Sequence, residues 1–299
     1  MITKLKRIVV PTDFSETAET AIKLATELAE HYSCTLDLVN VVDATVYAYA
    51  GYPFASLSKE LMSGAETALN KVKLNLKNGK LNRYLLSGSP AREIADHARR
   101  HKAGLIVIGT HGHGAVARFL LGSVADRVVH ESDCPVIVTK QPKGKVKHPK
   151  KKSKPFSRIL FPSDFSDTSK RALDQAVAFT EDMNAELFVL HVVDDTLIST
   201  HVEEERTIIL KELRKHALEE LKNQLPKHLL ENFETIGAVK RGDPGKQIAA
   251  YAETHHCDLI VMGTHGRSGI ERALIGSVAD KVVRRAKCPV YLVRPSKKK

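Results

Sequence analysis

The sequence feature that most constrains the fold is a motif that occurs twice. Residues 109–112 read Gly-Thr-His-Gly and are followed, after nine residues, by Gly-Ser-Val-Ala-Asp; residues 263–266 repeat the motif with the same spacing. Each copy follows four apolar residues, which predict a buried strand, and leads into a segment with helical periodicity. A strand, a glycine turn and a helix N-terminus in this order present backbone N–H groups to an anion. The motif therefore predicts a duplicated nucleotide-binding fold.

A second motif is repeated upstream of each glycine motif. Residues 11–15 read Pro-Thr-Asp-Phe-Ser and residues 162–166 read Pro-Ser-Asp-Phe-Ser, each after a short β-branched or apolar run. Ser15 is a plausible helix N-cap, which places Asp13 on the turn at the carboxyl end of the first strand. Asp13 and Asp164 are 151 positions apart and the glycine motifs are 154 apart. One fold is therefore repeated with a small insertion.

Apolar runs and helical patterns alternate through both halves of the chain. Strands that alternate with helices predict parallel pairing with helices on both faces, so each half is expected to be a five-stranded, doubly wound α/β domain. The predicted second helices span roughly 58–77 and 202–223, and the predicted third strands lie near 82–86 and 234–239. The expected organisation is a first domain at 1–140, a linker at 141–157, a second domain at 158–295 and a basic tail at 296–299.

The positive charge of the chain is concentrated outside the predicted domains. The formal net charge is +11, but residues 140–158 hold nine Lys or Arg, and residues 294–299 hold four, with no acid in either stretch. The rest of the chain is therefore close to neutral. The lysine-rich linker is most simply a solvated spacer, and salt-sensitive binding of nucleic acid through it is the alternative.

Other bulk features predict a cytoplasmic protein that does not enter the membrane. The chain opens directly into a strand without a signal peptide, and no apolar run approaches the roughly 20 residues that span a bilayer. The four cysteines form no CxxC pair, which favours small buried residues in a reducing compartment. The sequence His255-His256-Cys257 has no second cluster at ligand spacing, so we predict no metal site.

The two repeated motifs are expected to form one site in each half. Ligands of open parallel sheets bind outside the carboxyl ends of the strands, where the strand order reverses. If the first and fourth strands are neighbours there, Asp13 can accept hydrogen bonds from ribose hydroxyls or a base amino group. Glycines at 109 and 112 would let phosphates approach the backbone, and the helix start at Gly122-Ser123 would donate N–H groups. Val41 and Val192 would frame the base.

The sequence offers little support for catalysis. It contains no GxxxxGK[ST] loop, and it has no GxGxxG motif after the first strand, which argues against a dinucleotide site. His111 and His265 could contact phosphate or act as a general base, although a histidine on a turn more often bonds to the backbone. An enzyme that uses ATP, by slow hydrolysis or adenylyl transfer, therefore remains the weaker alternative.

At these residues the chain resembles the universal stress protein family in its two-domain, ATP-binding form. The resemblance rests on the Asp-Phe-Ser turn, on the pattern Gly-x-x-Gly with nine residues before Gly-Ser, and on Cys-Pro-Val before each last strand. It covers about residues 1–140 and 156–295, and it implies two tandem Rossmann-like domains that each bind ATP, with or without Mg²⁺. The implied nucleotide-binding residues are Pro11, Thr12, Asp13, Val41, Gly109, His111, Gly112, Gly122, Ser123 and Val124 in the first half, and Pro162, Ser163, Asp164, Val192, Gly263, His265, Gly266, Arg267, Gly276, Ser277 and Val278 in the second.

The resemblance also implies a function, an assembly and a difference between the halves. It predicts a stress-response protein that acts as a nucleotide-dependent switch or scaffold, with at most slow hydrolysis or self-phosphorylation. Members of the family pair through their last strands, so we expect strands 136–139 and 290–293 to join the halves, and the chain to form a homodimer. His113 stands where the second copy has Arg267, and Asn40 where it has His191. We therefore expect the second site to bind triphosphate better.

Overall fold

The computed structural model describes residues 5–43, 54–110, 122–140, 154–194, 203–232, 234–266 and 275–295. The chain divides into two compact units that separate between Pro155 and Phe156. We call these units the first domain and the second domain. Phe156, near the end of the predicted linker, is buried in the second domain with its ring 6.0 Å from that of Phe179. The second domain therefore begins before its first strand.

The first domain alternates strands with helices, as the apolar pattern predicts. Its described strands are Arg7–Pro11 (β1), Thr35–Val42 (β2), Lys80–Ser87 (β3), Leu105–Gly109 (β4) and Val136–Thr139 (β5), and its described helices are Glu16–Tyr32 (α1), Phe54–Lys71 (α2), Pro90–Arg100 (α3) and Ser123–Glu131 (α4).

These strands form a parallel sheet in the order β3-β2-β1-β4-β5. Strands are added on one side of β1 up to β3, and the chain then crosses to add β4 and β5 on the other side. Right-handed crossovers put α1 and α2 on one face and α3 and α4 on the other. Ile8, Val9 and Val10 are completely buried, because a parallel sheet is covered on both faces. The prediction of a doubly wound domain is confirmed.

Local sequence explains where α1 begins and ends. The hydroxyl of Ser15 accepts a hydrogen bond from the N–H of Ala18 and caps the helix start, as predicted. The helix ends at Ser33, which adopts a left-handed conformation with φ of 49°. Apolar residues at helical spacing between these caps, such as Ile22 and Leu28, are buried against the sheet.

The second domain repeats this architecture. Its described strands are Arg158–Ser163 (β6), Glu186–Val193 (β7), Thr235–Arg241 (β8), Leu259–Gly263 (β9) and Val290–Val293 (β10), and its described helices are Asp167–Met183 (α5), Glu203–Gln224 (α6), Lys227–Asn232 (α7), Pro244–Thr254 (α8) and Ser277–Arg285 (α9). The strands are parallel in the order β8-β7-β6-β9-β10.

Several element boundaries differ from the predicted ones. Helix α2 ends at Lys71 rather than near residue 77, because Arg83 on β3 donates to the carbonyl oxygens of Leu69 at 3.2 Å and Val72 at 2.9 Å. These bonds satisfy carbonyls at the helix end, as a C-terminal cap does. Strands β3 and β8 extend slightly beyond the predicted ranges, and α7 follows Pro226 without having been predicted.

Candidate functional site

The site lies where the strand order reverses in each sheet. Strands β1 and β4 pair in parallel, with Ile8 opposite Leu105, and β6 and β9 pair in the same way, with Ile159 opposite Leu259. The two-part site was predicted on the condition that the first and fourth strands of each half are neighbours, and this condition is met. The carboxyl ends of these strands meet at the point where open parallel sheets bind their ligands.

The turn after β1 fixes the side chain of Asp13. Its Oδ1 accepts hydrogen bonds from the backbone N–H of Ser15 at 3.1 Å and from the Ser15 hydroxyl at 2.5 Å. One residue earlier, the hydroxyl of Thr12 accepts from the N–H of Phe14 at 3.0 Å. Short polar side chains that bond to the backbone two residues later form compact turns. The carboxylate is therefore held at the carboxyl edge of the sheet by its own neighbours.

The turn after β6 has the same bonds. Oδ1 of Asp164 accepts from the N–H of Ser166 at 3.0 Å and from its hydroxyl at 2.7 Å. The hydroxyl of Ser163 accepts from the N–H of Phe165 at 3.2 Å. Because both turns are built alike, Asp13 and Asp164 occupy equivalent places. Asp13 is exposed to solvent, whereas Asp164 is half-buried.

Both turns place a phenylalanine in the left-handed region of backbone space. Phe14 and Phe165 each have a φ of 65°, a conformation that costs a residue other than glycine about 1–3 kcal/mol. Sequence reasoning did not identify this feature. The available signal was the recurrence of phenylalanine between the aspartate and the serine in both copies. Strained backbone that persists in two copies is typical of functional sites.

Asn40 and His191 have the same structural role in the two domains. The side-chain amide of Asn40 donates to the carbonyl of Thr12 at 2.7 Å, and Nδ1 of His191 lies 2.7 Å from the carbonyl of Ser163. A carbonyl oxygen only accepts, so the proton of this bond is on Nδ1 of His191. Each side chain ties the second strand to the turn that carries the aspartate. By residue type Asn40 departs from the family pattern, but in the structure it makes the same hydrogen bond as the histidine does.

The glycines that end β4 and β9 are required by helix packing. A Cβ added to Gly109 would lie 2.9 Å from the backbone of Thr17, and one added to Gly263 would lie 2.7 Å from Cγ2 of Thr168. Both threonines are in the first turns of α1 and α5. The close approach of helix and strand is therefore a reason for the glycine at 109 that the sequence did not reveal, and its predicted role of making room for phosphates stays a prediction.

The second glycine of the motif brings the two repeated motifs together. A Cβ on Gly266 would lie 2.5 Å from Oδ2 of Asp164, so the glycine loop contacts the aspartate turn directly. This contact joins the end of β9 to the end of β6 at one point of the edge. In the first copy, His111 and Gly112 lie outside the described residues. The predicted phosphate contact Arg267 also lies outside them.

The helices after the glycine loops begin without a side-chain cap. The N-caps are Gly122 for α4 and Gly276 for α9, and neither has a side-chain hydrogen bond to the helix. Each N-cap glycine donates its own N–H to the backbone carbonyl of the threonine that follows the preceding strand. The distance is 2.6 Å to the carbonyl of Thr110 and 2.8 Å to that of Thr264. The first N–H groups of an uncapped helix are suited to bind an anion. Ser123 and Ser277, the exposed first residues of these helices, add a hydroxyl to each site.

One polar atom of His265 is buried and has no hydrogen-bond partner within the part of the chain that the structure describes. Its Nδ1 lies 2.9 Å from the hydroxyl of Thr264. Its Nε2 is shielded from solvent and has no hydrogen-bond partner among the residues that the structure describes. The ring therefore bonds to a side chain rather than to the backbone. Buried polar atoms in proteins are normally satisfied by protein groups, water, ions or ligands.

The other predicted residues lie at the same edge of each sheet. Pro11 and Pro162 are buried near the carboxyl ends of β1 and β6. Four valines predicted at the nucleotide site are half-buried. Val41 and Val192 lie near the ends of the second strands, and Val124 and Val278 lie in the first turns of α4 and α9.

We next consider metal-binding groups, the cysteines and membrane-spanning helices within the described part of the chain. Its residues contain no group of three or more His, Cys, Asp or Glu placed to hold a metal ion. Burial raises the pKa of Cys34 to about 11 and that of Cys257 to about 12, and none of the four cysteines, all of which the structure describes, is in a disulfide. Among the helices with described residues, none is both long and apolar enough to cross a bilayer.

Comparisons with known proteins agree with this geometry. The model of the universal stress protein family matches residues 4–140 and again residues 155–294. A universal stress protein of Methanocaldococcus jannaschii is 39% identical over 144 residues, which cover 46% of this chain and 84% of that protein. One from Mycobacterium tuberculosis is 26% identical over 301 residues, which cover 97% of this chain and 96% of that protein.

A solved structure matches the fold along the whole chain. The crystal structure of a universal stress protein from Archaeoglobus fulgidus gives a TM-score of 0.71 at 23% identity, with 99% of both chains covered. At this identity the likeness concerns the fold alone. Because the family model matches each half, and each half has its own aspartate turn and glycine strand end, the chain belongs to the universal stress protein family and has two of its domains in tandem.

Proposed function

We propose that each domain binds an adenine nucleotide, ATP, at the carboxyl edge between its first and fourth strands. The observation that carries the proposal is the contact between Gly266 and Oδ2 of Asp164, where an added Cβ would lie only 2.5 Å from the carboxylate. Two motifs that are far apart in the sequence therefore meet at one edge of the sheet. The carboxylate supplies acceptors and the helix N-terminus supplies donors, which are complementary to a ribose and a phosphate.

The described residues suggest how the parts of the nucleotide are recognised. Asp13 and Asp164 accept hydrogen bonds from ribose hydroxyls or from the base amino group. The uncapped starts of α4 and α9 bind phosphate through backbone N–H groups and the hydroxyls of Ser123 and Ser277. Val41 and Val192 give apolar contact to the base. A magnesium ion would accompany the nucleotide through phosphate oxygens, as is usual for this ion.

The proposed cellular role follows from the family and from this binding site. The protein is a cytoplasmic stress-response protein in which ATP acts as the ligand of a switch or scaffold, and the chain assembles as a homodimer. Hydrolysis or self-phosphorylation is at most slow. Steady phosphate release that is lost in Asp13→Ala and Asp164→Ala would instead favour an ATP-using enzyme.

Titration calorimetry with ATP tests the proposal. The wild-type chain is expected to bind two equivalents, and Gly266→Ala is expected to bind one, because the new methyl group would clash with the Asp164 carboxylate. Gly237→Ala is the matched control, since a Cβ at Gly237 meets no atom within 4 Å. It should bind ATP as the wild type does.

Two results would contradict the proposal. The first is a wild-type chain that neither binds ATP nor releases a nucleotide when it is denatured and analysed by mass spectrometry. The second is a Gly266→Ala variant that binds two equivalents with unchanged affinity. Loss of one equivalent in Asp13→Ala and of the other in Asp164→Ala would assign the two sites separately.

A further inference from the structure

Gln224, the last residue of α6, is hydrogen-bonded to the turn that carries Asp164. The hydroxyl of Ser163 donates to Oε1 of Gln224 at 3.1 Å. Ser163 is the last residue of β6 and directly precedes Asp164. The two hydrogen-bonded residues are 61 positions apart in the sequence. The end of α6 is therefore attached to the turn that holds the proposed nucleotide-binding carboxylate of the second domain.

The Ser163 hydroxyl is the centre of a buried hydrogen-bond network. The backbone N–H of Phe165 donates to it at 3.2 Å, and the hydroxyl of Ser169, in the first turn of α5, lies 3.4 Å from it. Ser163 and Ser169 are buried, with 5% and 4% of their surface exposed. Because a buried polar group without a partner is costly, the members of such a network depend on one another. Two of these members, Ser163 and Phe165, flank Asp164 in the chain.

This network stabilises a strained backbone conformation. Phe165 has a φ of 65°, and such a conformation persists only where the surrounding contacts hold it. The hydrogen bond from its N–H to the Ser163 hydroxyl is one of these contacts. Loss of the Gln224 amide would leave that hydroxyl with one partner fewer. We therefore expect the turn to loosen at the two residues that flank Asp164.

The position of Gln224 is itself fixed by packing. Leu221, one turn earlier, and Leu225, the next residue, are buried, with 2% and 8% of their surface exposed. Helix α6 contacts strands β7 and β8 of the second sheet. A side chain on a packed helix positions a site more precisely than one on a loop. Gln224 is therefore suited to hold the turn in one place.

The first domain has no equivalent network within its described residues. The position of Ser169 is Ala18 there, which has no hydroxyl. Thr12, at the position of Ser163, accepts from the N–H of Phe14 at 3.0 Å. Among the described residues, no hydrogen bond joins its hydroxyl to α2. The connection between the second helix and the aspartate turn is therefore a property of the second domain.

We propose that Gln224 is a positioning residue for the second nucleotide site, so that the ATP affinity of this site depends on α6. This role rests on the proposed function. Gln224 acts through the Ser163 hydroxyl on the orientation of the Asp164 carboxylate, and it does not contact the nucleotide. Hydrogen bonds weaken steeply when their geometry is disturbed, so a displaced turn binds ATP less tightly. The two sites of the chain therefore differ in their dependence on the neighbouring helix.

Calorimetric titration with ATP tests this role. All variants carry Asp13→Ala, so that the second site is measured alone. Gln224→Met keeps the length of the side chain but removes its hydrogen-bonding groups, and it is expected to weaken ATP binding about fivefold, the order of one neutral hydrogen bond. Gln175→Met is the matched control, because Gln175 is a half-buried glutamine of the same domain that also accepts a hydroxyl at 3.1 Å, from Tyr291. Its ATP affinity should not change.

Two further measurements show whether Gln224 acts through Ser163. In a double-mutant cycle, Ser163→Ala should weaken ATP binding, and Gln224→Met added to it should cause no further loss. Hydrogen exchange resolved by NMR reports the turn directly. The amide of Phe165 should exchange faster in Gln224→Met than in the parent protein, and it should exchange at the parent rate in Gln175→Met.

The outcomes separate this inference from the proposed function. A wild-type chain that does not bind ATP would overturn both. If the Asp13→Ala protein binds ATP and Gln224→Met leaves that affinity unchanged, only the positioning role is wrong. Equal losses in Gln224→Met and Gln175→Met would indicate a general loss of stability and would also overturn it. A Gln224→Met effect that persists in full beside Ser163→Ala would overturn the route through the Ser163 hydroxyl.

Discussion

The two domains fill equivalent positions of the same fold with opposite chemistry. In the first domain Asp37, on β2, is completely buried. Its carboxylate accepts two hydrogen bonds from Arg7, at 2.8 and 2.7 Å, and one from Asn82 at 2.9 Å. Nε2 of His97, on α3, lies 3.1 Å from the same carboxylate and is also buried. We call these four residues the polar cluster.

In the second domain the equivalent positions contain aromatic rings. Phe188 pairs with Leu160 in β6 as Asp37 pairs with Val9 in β1. Tyr251 on α8 and His255, the C-cap of that helix, surround it, with ring centroids 6.3 and 5.2 Å from that of Phe188. Arg158, the counterpart of Arg7, instead forms an ion pair with Glu186 at 3.2 Å. The backbone that holds the polar cluster therefore also holds an apolar one.

The difference shows that the fold provides a buried position on the second strand of each domain but does not determine whether a polar or an apolar side chain fills it. An aromatic cluster stabilises by the area it removes from water. A buried carboxylate must be compensated by partners, because an unpaired charge in the interior is costly. Asp37 has four such bonds, and its buried carboxylate is tolerated only while all of its partners are present. The first domain should therefore be more sensitive than the second to the loss of a single polar atom and to pH.

The largest expected effect is that of Asp37→Ala. Removal of the carboxylate leaves Arg7 and His97 without their partner, and we expect the free energy of unfolding of the first domain to fall by about 3–5 kcal/mol. Hydrogen exchange measured by mass spectrometry would report the two domains separately. Asp37→Asn keeps the size and part of the bonding, so its loss should be smaller. A cost below about 1 kcal/mol for Asp37→Ala would show that the first domain does not depend on the complete polar cluster.

The next effect is the pH dependence that Asp37 gives to the first domain. Burial favours a higher pKa for Asp37, but hydrogen bonds with His97, Arg7 and Asn82 outweigh it and lower the pKa below its ordinary value. A pKa lower in the folded than in the unfolded state contributes stability above the unfolded value of about 3.9, and this stability is lost as pH falls through the folded value.

Urea unfolding of wild type and Asp37→Asn at several pH values measures this contribution. The difference in free energy of unfolding should be largest above about pH 5 and should shrink below the ordinary aspartate pKa of about 3.9. Phe188→Leu, in the second domain, serves as the control because its cost should not vary with pH. A constant difference for Asp37→Asn would show that the charge of Asp37 is not what stabilises the cluster.

A smaller effect concerns the equivalent side chains Asn40 and His191. Asn40→Ala leaves the carbonyl of Thr12 without its donor and should cost about 1–3 kcal/mol. Asn40→His places the second domain's residue in the first domain and should cost less stability than Asn40→Ala. In the second domain, His191→Asn should likewise cost less stability than His191→Ala. Thermal unfolding with and without ATP checks both. If the exchanges cost as much as alanine, the two side chains are not interchangeable.

The smallest effect is expected at an exposed ion pair whose charges are reversed between the domains. Arg99 binds Asp133 at 2.6 Å in the first domain, and Glu253 binds Lys287 at the corresponding place in the second. Because both pairs are on the surface, water screens them. Arg99→Glu combined with Asp133→Lys should lower the unfolding temperature only slightly, through repulsion from Asp96, which also pairs with Arg99 in the wild type. A clear loss of stability in this double variant would mean that the order of the two charges matters for the stability of the first domain.

Much of the fold could be predicted because its signals are local. The buried strands are short apolar runs, the first helix has a serine cap, and the spacing of the motifs repeats. General rules of parallel sheets made the pairing of β1 with β4 the condition for a two-part site, and the structure meets this condition. The site residues stay a prediction as nucleotide ligands, although Gly266 and Asp164 do meet as that hypothesis requires.

The remaining features depend on contacts between residues far apart in the chain. Sequence reasoning explained Gly109 by phosphates, whereas the backbone of Thr17 occupies the direction of its missing Cβ. It also treated Asn40 and His191 as different because it compared residue types rather than hydrogen bonds. Asp37 lies in an apolar run, and nothing in the run shows that a helix sixty positions later provides a histidine to it.

The sequence by itself determined that this protein has two doubly wound domains, each with an aspartate turn and a glycine strand end, since periodicity, capping and repetition are encoded along the chain. Tertiary structure alone decided which of these residues face one another. It placed Gly266 against Asp164, left Nε2 of His265 buried without a described partner, and filled one buried position with a carboxylate and its counterpart with a phenyl ring. The physical reason is that hydrogen bonding and burial are properties of the space around a side chain, which forms only when distant segments pack.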